Sequence, residues 1–432
     1  MREGLSMTSS LDAPGHAAGT HTDFGPARAL VCRECGAEYP LNDSYACVDC
    51  FGPLEIGYDF GTVTQADIET GAPSMWRYAP LLPVPADIAS RGNLAPGLTK
   101  LVRADNLARE LGMKTLFVKD DSGNPTHSFK DRVAAIALTA AQQLGFTTVG
   151  CASTGNLANA VAAAAARAGL LSCVFVPSDL EAGKIVTTAV YGGTLVAVEG
   201  NYDEVNRLCS EVAGDLGWGF VNINLRPYYA EGSKTLGYEV AEQLGWRLPQ
   251  QVVAPIASGS LMTKVDKAFR ELVALGLVVE SPAAIFGAQA TGCSPVSRAF
   301  REGHDSVQPV RPDTIAKSLA IGNPADGPYA IDVARRTGGV IADVSDAEIV
   351  EGIQLLARTE GIFAETAGGV TVATLRKLLG EGRLDPEAET VLLNTGDGLK
   401  TLDAVVSVAR PTVTIPATYG AFRSFAKQEG LA

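Results

Sequence analysis

From about residue 115 onward, short apolar runs alternate with helical stretches, and that alternation leaves few folds open to the chain. Residues 115–119, 147–151, 171–176, 194–198, 220–223, 252–256, 284–288 and 391–394 read as strands. Residues 128–144 and 156–168 read as helices closed by Gly145 and Gly169, and 184–191 as a third, with another between 198 and 220. Strand and helix in turn imply an α/β fold of parallel sheets covered by helices. In such folds the loops that bind and react lie at the carboxyl ends of strands.

The 432 residues are enough for two or three domains. Glycine (46 residues) is abundant and aromatic residues make up only 6%, which suits helices and strands packed closely together. A net charge of −13 argues against nucleic acid or an anionic membrane as the main partner, while leaving a local pocket free to bind an anion. The longest apolar candidate, 157–171, is interrupted by Asn159 and Arg167 and falls short of the roughly 18 residues a span needs. The first residues lack the apolar core of a secretory signal, so a cytoplasmic enzyme is expected. Residues 1–28 show no periodicity and read as a disordered leader containing His16 and His21.

Cys32-Arg-Glu-Cys35 and Cys47-Val-Asp-Cys50 are separated by eleven residues. Two such knuckles place four thiolates as a structural zinc requires, with no coordination position left open for chemistry. The alternatives are four unrelated cysteines or a ribbon without its metal. Cys151, Cys173, Cys209 and Cys293 lie in or beside apolar runs and read as small buried hydrophobes in a reducing compartment.

Residues 124–132 read Asn-Pro-Thr-His-Ser-Phe-Lys-Asp-Arg, a turn followed by a helix that Ser128 is placed to cap. Lys130 then stands in the first helical turn, where a cation opposes the helix dipole. It is either a solvated lysine or an amine whose pKa is lowered, by neighbouring cations for example, so that it becomes nucleophilic. Three loops bear on that choice. Ser153-Thr154-Gly155-Asn156 follows a strand and opens a helix, an arrangement that receives an anion such as a carboxylate. Ala257-Ser258-Gly259-Ser260 repeats it and offers N–H groups to a phosphate. Thr395-Gly-Asp-Gly398 stands at the last strong strand.

On these residues, with Glu231-Gly-Ser-Lys-Thr235, Ile321-Gly-Asn-Pro324 and Thr395-Gly-Asp-Gly-Leu-Lys400, the chain from about residue 75 resembles the threonine synthases. That family lies within the tryptophan-synthase-β-like, fold type II group of pyridoxal-phosphate (PLP) enzymes. The resemblance implies a two-lobed body, with 75–125 and 240–432 forming the larger PLP-binding domain and 126–239 a smaller α/β domain, preceded by a zinc-ribbon-like segment at 29–58. It implies that Lys130 holds PLP as a Schiff base and that Asn156 bonds the 3′-oxygen of its ring. Ala257, Ser258, Gly259 and Ser260 would cradle its phosphate, and Thr395 would meet the pyridine nitrogen. Ser153, Thr154 and Gly155 would take the substrate carboxylate, with Asn224 and Arg226 near the substrate phosphate. The reaction implied converts O-phospho-L-homoserine and water to L-threonine and phosphate, by a cytoplasmic homodimer.

Three departures bear on the substrate. His127 stands where the family often has glycine, and reads either as a base or phosphate ligand or as a packed neutral imidazole. The phosphate loop has serines where relatives carry asparagine and glycine. Tyr229 occupies the place of an arginine that helps hold the substrate phosphate, with Arg226 nearby as a substitute. Glu365 reads as a cleft residue or a helix cap, and Arg132 and Lys234 as solvated helix residues in preference to phosphate donors. A serine/threonine dehydratase, or a β-replacement enzyme of the cysteine- or cysteate-synthase kind, would share the PLP residues without needing a second anion site. A ribbon-bearing interaction protein with an inactive body is the distant alternative.

Overall fold

The expected strands are present, but they are divided between two sheets. The computed structural model describes residues 22–153, 155–180, 182–200 and 202–431. Thr154, His16 and His21 lie outside them, as does most of the expected leader.

The N-terminal strands β1 (Ala27–Cys32), β2 (Glu38–Tyr39) and β3 (Leu54–Tyr58) form an antiparallel sheet in the order β2-β1-β3. The body contributes β4 (Lys100–Arg103), β5 (Leu116–Asp120), β6 (Thr148–Ala152), β7 (Leu171–Pro177), β8 (Thr194–Val198), β9 (Gly219–Phe220), β10 (Gln251–Pro255), β11 (Ala284–Ala290), β12 (Ile341–Val344) and β13 (Thr390–Asn394). A six-stranded sheet runs β12-β11-β10-β13-β5-β4, and a four-stranded parallel sheet runs β8-β7-β6-β9. Every residue of β10 and β13 is buried, because helices cover both faces and the usual in-out alternation disappears.

Two strand expectations need correction. The larger sheet is not wholly parallel: β4 pairs antiparallel with β5 at its edge, where exposed Lys100 and Arg103 discourage further pairing. The strand expected over 220–223 ends at Phe220, because the Asn224 side chain closes a tight loop behind it, accepting from Phe220 N at 2.7 Å and donating to Trp218 O at 3.0 Å.

The expected leader also stops short of residue 28. Phe24 is 4% exposed and stacks on Tyr228 with ring centroids 5.0 Å apart, and β1 begins at Ala27. The ribbon then docks onto the helix Ser260–Ala274, where Lys264 meets Glu55 at 3.0 Å and Glu231 at 2.9 Å. Tyr58 donates to Glu231 at 2.6 Å.

Arg132 and Lys234 are neither solvated nor phosphate donors, since both side chains are fully buried in ion networks. Arg132 bonds Asp121 at 2.7 Å and Glu239 at 2.5 Å, and Lys119 reaches Glu239 at 2.7 Å. Burial pushes the Glu239 carboxyl up, but Arg132 and Lys119 outweigh it and hold the group at about 2. Lys234 pairs with Glu231 at 2.7 Å and Glu271 at 2.9 Å, within the cluster that seats the ribbon.

Candidate active site

Strands β10, β13 and β5 are neighbours, so the loops leaving their carboxyl ends lie side by side. The β5 loop is latched to the β13 loop: Phe129 N donates to Thr395 O at 2.9 Å and Asp397 N to His127 O at 3.0 Å. These bonds fix where the helix Lys130–Gln143 begins. Ser128 does not cap it; Phe129 holds the cap position without a side-chain bond, and the buried Ser128 hydroxyl has no partner. His127 has φ +62°, a left-handed backbone that glycine adopts without cost and histidine tolerates better than most residues. Its ring is exposed and bonds Ser122 O at 3.3 Å, so it is neither packed nor in the cleft.

Lys130 Nζ donates to the Tyr229 hydroxyl at 2.9 Å and lies 4.6 Å from the Phe129 ring centroid. Burial pulls its pKa down to about 8, with Glu365 partly opposing. Desolvation, not the neighbouring cations anticipated from the sequence, is therefore what makes this amine nucleophilic. One prediction follows for the protein stripped of its cofactor. A neutral amine is the reactive form, so the rate of PLP uptake should rise with pH and level off near 8. A rate still climbing above pH 9 would show an ordinary lysine.

Lys130 stands on the wall shared by two adjoining chambers. The smaller, about 40 Å³, is lined by Ser258, Gly259, Ser260, Glu365 and Thr395. The larger, about 260 Å³, is lined by Ser153, Asn222, Arg226, Asp326 and Tyr45. Lys130, Asn156, Tyr229, Ala257, Ser258 and Ser260 face both.

Most of the residues singled out in the sequence therefore meet in one place. Gly259, at φ +98°, turns the chain into the 15-residue helix Ser260–Ala274, whose first N–H groups have no acceptor within the helix. A Cβ at Gly259 would lie 2.6 Å from Asp326 O, so the loop admits no side chain there. Ser153 Oγ accepts from Gly155 N at 3.0 Å and Ala158 N at 2.9 Å, keeping its own proton available to donate. Arg226 pairs with Asp326 at 2.7 Å on the wall of the larger chamber. Asn224 does not belong to the site: both polar ends of its amide are used in the loop behind β9, and Asn222 lines the chamber instead.

Two residues matter more than the sequence indicated. Glu365 precedes the helix Thr366–Gly380 without capping it; its carboxylate accepts from Asn156 Nδ2 at 2.8 and 2.9 Å. Tyr229, read only as a departure from the family, holds Lys130. It lies in the short helix Arg226–Glu231, which the sequence did not announce, and its partner lies 99 residues away.

Residues 93–396 match the family model described as pyridoxal-phosphate dependent enzyme. The chain belongs to that family. It is 36% identical to the threonine synthase of Methanocaldococcus jannaschii, over 92% of this chain and 99% of that one. It is also 36% identical to the threonine synthase of Methanosarcina acetivorans, over 91% and 97%. A match of 92% is more than residues 75–432 alone can supply, so the likeness reaches into the ribbon. The fold is shared with diaminopropionate ammonia lyase from Escherichia coli (TM-score 0.64, 19% identity, 81% of this chain and 94% of that). A fungal L-serine ammonia-lyase from Rhizomucor miehei shares it too (TM-score 0.61, 21% identity, 72% and 96%).

The site fits the cofactor of this pyridoxal-phosphate dependent family. Asn156 Oδ1 is buried without a partner beside Lys130, a polar atom that a bound molecule would satisfy. The first N–H groups of the helix after Gly259 suit a phosphate; that of Ser260 reaches Ser258 Oγ at a long 3.4 Å. In the ribbon, the sulfurs of Cys32, Cys35, Cys47 and Cys50 all lie within 4.8 Å of one another. Cys32–Cys50 and Cys35–Cys47 are 3.4 and 3.6 Å apart, close to the roughly 3.8 Å edge of a tetrahedron with 2.3 Å zinc–sulfur bonds. The four thiols fit a structural zinc.

Proposed function

We propose that the chain is a threonine synthase, converting O-phospho-L-homoserine and water to L-threonine and phosphate. Its relation to threonine synthases along nearly their full length carries this reading. The larger chamber beyond Lys130, with Arg226 on its wall, supports it by giving a second anion somewhere to bind.

The geometry of the described residues and the likeness to threonine synthases support the following roles. Bound PLP supplies an electron sink that makes the substrate α- and β-hydrogens acidic. Lys130 would hold it through Nζ and would carry the substrate α-proton away and back; an amine at about 8 is suited to both directions. Tyr229 keeps Nζ at the junction of the chambers. The Ser260 end of the helix would receive the cofactor phosphate, Thr395 would meet the ring nitrogen, and Asn156, whose Nδ2 is held by Glu365, would accept at Oδ1 from the 3′-hydroxyl. Ser153, Thr154 and Gly155 take the substrate carboxylate, and Arg226 its phosphate. We also propose a lobe of 75–125 with 240–432 and a lobe of 126–239, with the cleft between them; the two separate sheets of the body support it. Among the described residues no helix is long and apolar enough to cross a membrane. We further propose a cytoplasmic homodimer, which sedimentation would test.

The deciding experiment incubates the protein with phosphohomoserine and follows phosphate and threonine together. PLP bound with neither product formed would overturn the substrate. Ammonia and 2-oxobutanoate from threonine, without phosphate release from phosphohomoserine, would mark a dehydratase. Arg226→Ala should raise KM by about 10- to 100-fold, as losing a charged hydrogen bond does, with kcat changed far less. An unchanged KM would remove Arg226 from the substrate.

A further inference from the structure

The larger chamber has one wall that the body does not supply. Tyr45 lies in the ribbon, between the two cysteine pairs, yet it lines this chamber together with Arg226. It does not line the smaller chamber, the one that Gly259 and Thr395 line.

Its placement is fixed from several sides. Asn42 Oδ1 accepts from Ser44 N at 2.9 Å, tightening the turn before it. Tyr228 donates to Asn42 O at 3.0 Å, and Leu54 N donates to Tyr45 O at 3.1 Å. The short helix Arg226–Glu231 thus serves both sides: Tyr228 grips the ribbon, Tyr229 holds Lys130, and Arg226 lines the chamber. The Tyr45 side chain is nonetheless not packed away. The residue is 45% exposed, and its hydroxyl has no hydrogen-bond partner among the described residues.

We propose that Tyr45 is a specificity residue, its hydroxyl donating to the phosphate of the substrate from the side of the chamber that the ribbon closes. The proposal rests on the function given above. Chemistry favours a phenol there. Arg226 already shares its charge with Asp326, and Asp203 also lines the chamber, so a phosphate gains from a neutral donor. The ribbon would then be part of the active site, not an appendage to it.

The test compares holoenzyme carrying Tyr45→Phe, Tyr45→Ala and, as a control, Val48→Ala, a 73%-exposed ribbon residue outside both chambers. KM and kcat for phosphohomoserine, calorimetric affinity for inorganic phosphate, and PLP affinity are measured on each. Tyr45→Phe should weaken phosphate binding and raise KM by about 10-fold, with kcat and PLP affinity within about two-fold of wild type and Val48→Ala unchanged. An unaltered phosphate affinity in Tyr45→Phe overturns the proposal, even if Tyr45→Ala is impaired, because the ring and not the hydroxyl would then matter. PLP affinity falling in step with phosphate affinity overturns it too, as a structural effect. Absence of turnover in the wild type would count against the proposed function, and the phosphate affinities would still decide the role of Tyr45.

Discussion

Lys130→Ala is expected to lower kcat by at least about 10⁴-fold, the upper end of what a single acid–base group contributes, and to let the yellow colour of the cofactor wash out on dialysis. Two losses coincide in this one substitution. The amine that tethers the cofactor is gone, and so is the group that carries the α-proton. The phosphate loop is untouched, so PLP should still bind, reversibly and more weakly, through the Ser260 end of its helix. The fold should survive, because the change removes a buried amine whose charged form is already disfavoured by burial. Circular dichroism and denaturation should therefore match wild type while activity is lost. A variant that still made threonine at a tenth of the wild-type rate would assign the chemistry to another group. Adding a primary amine in solution should recover part of the proton transfer but not the tether, which separates the two roles.

Arg132→Met should cost about 3–5 kcal/mol of stability, the range for removing one partner of a buried ion pair. The guanidinium meets Asp121 through two nitrogens at 2.7 and 2.8 Å and Glu239 through two at 2.5 and 2.7 Å. Without it, Glu239 keeps Lys119 but the Asp121 carboxylate is left with the Thr99 hydroxyl at 2.5 Å, in a place closed to water. Arg132→Lys should recover little, since an ammonium cannot span two carboxylates as a planar fork does. The pH dependence has a definite sign. Glu239 is held at about 2 in the folded protein, against an ordinary value of 4.5. A depressed carboxyl stabilises fully above its unfolded pKa, and that contribution fades as pH falls from about 4.5 to 2. Guanidinium titrations across that window should show a steeper loss in wild type than in Arg132→Met. Equal slopes would mean that Arg132 is not what holds the Glu239 carboxyl down.

Local signals made the body readable from the sequence. The helix Asn156–Ala168 and the strand Thr194–Val198 fall where apolar runs and closing glycines put them. The loops after β6, β10 and β13 were legible because Gly155 and Gly259 mark turns before helices. What escaped was long-range. β4 has only four residues and two exposed charges, so nothing in Lys-Leu-Val-Arg announces its antiparallel pairing with β5. Arg132 and Lys234 read as solvated because charge suggests water, and only tertiary partners reveal the carboxylates that bury them. Asn224 lay close in sequence to Arg226 but spends its amide on its own loop. Tyr229 and Glu365 act on residues 99 and 209 positions away, a relation that no local pattern carries.

The place of β13 bears on how the molecule is built. It lies between β10 and β5, and Asn394 reaches Asp120 across 274 residues of chain. On the ribosome, β4 and β5 emerge early and β10, β11 and β12 later, leaving two part-sheets with no common border. Each shows an unpaired edge until residues 390–394 appear, the kind of surface on which nascent chains aggregate. Contacts this distant also make for slow folding. The strand that places Thr395 beside Lys130 is thus the last rung of its sheet to be made, and any chain cut short before it should be a client for chaperones.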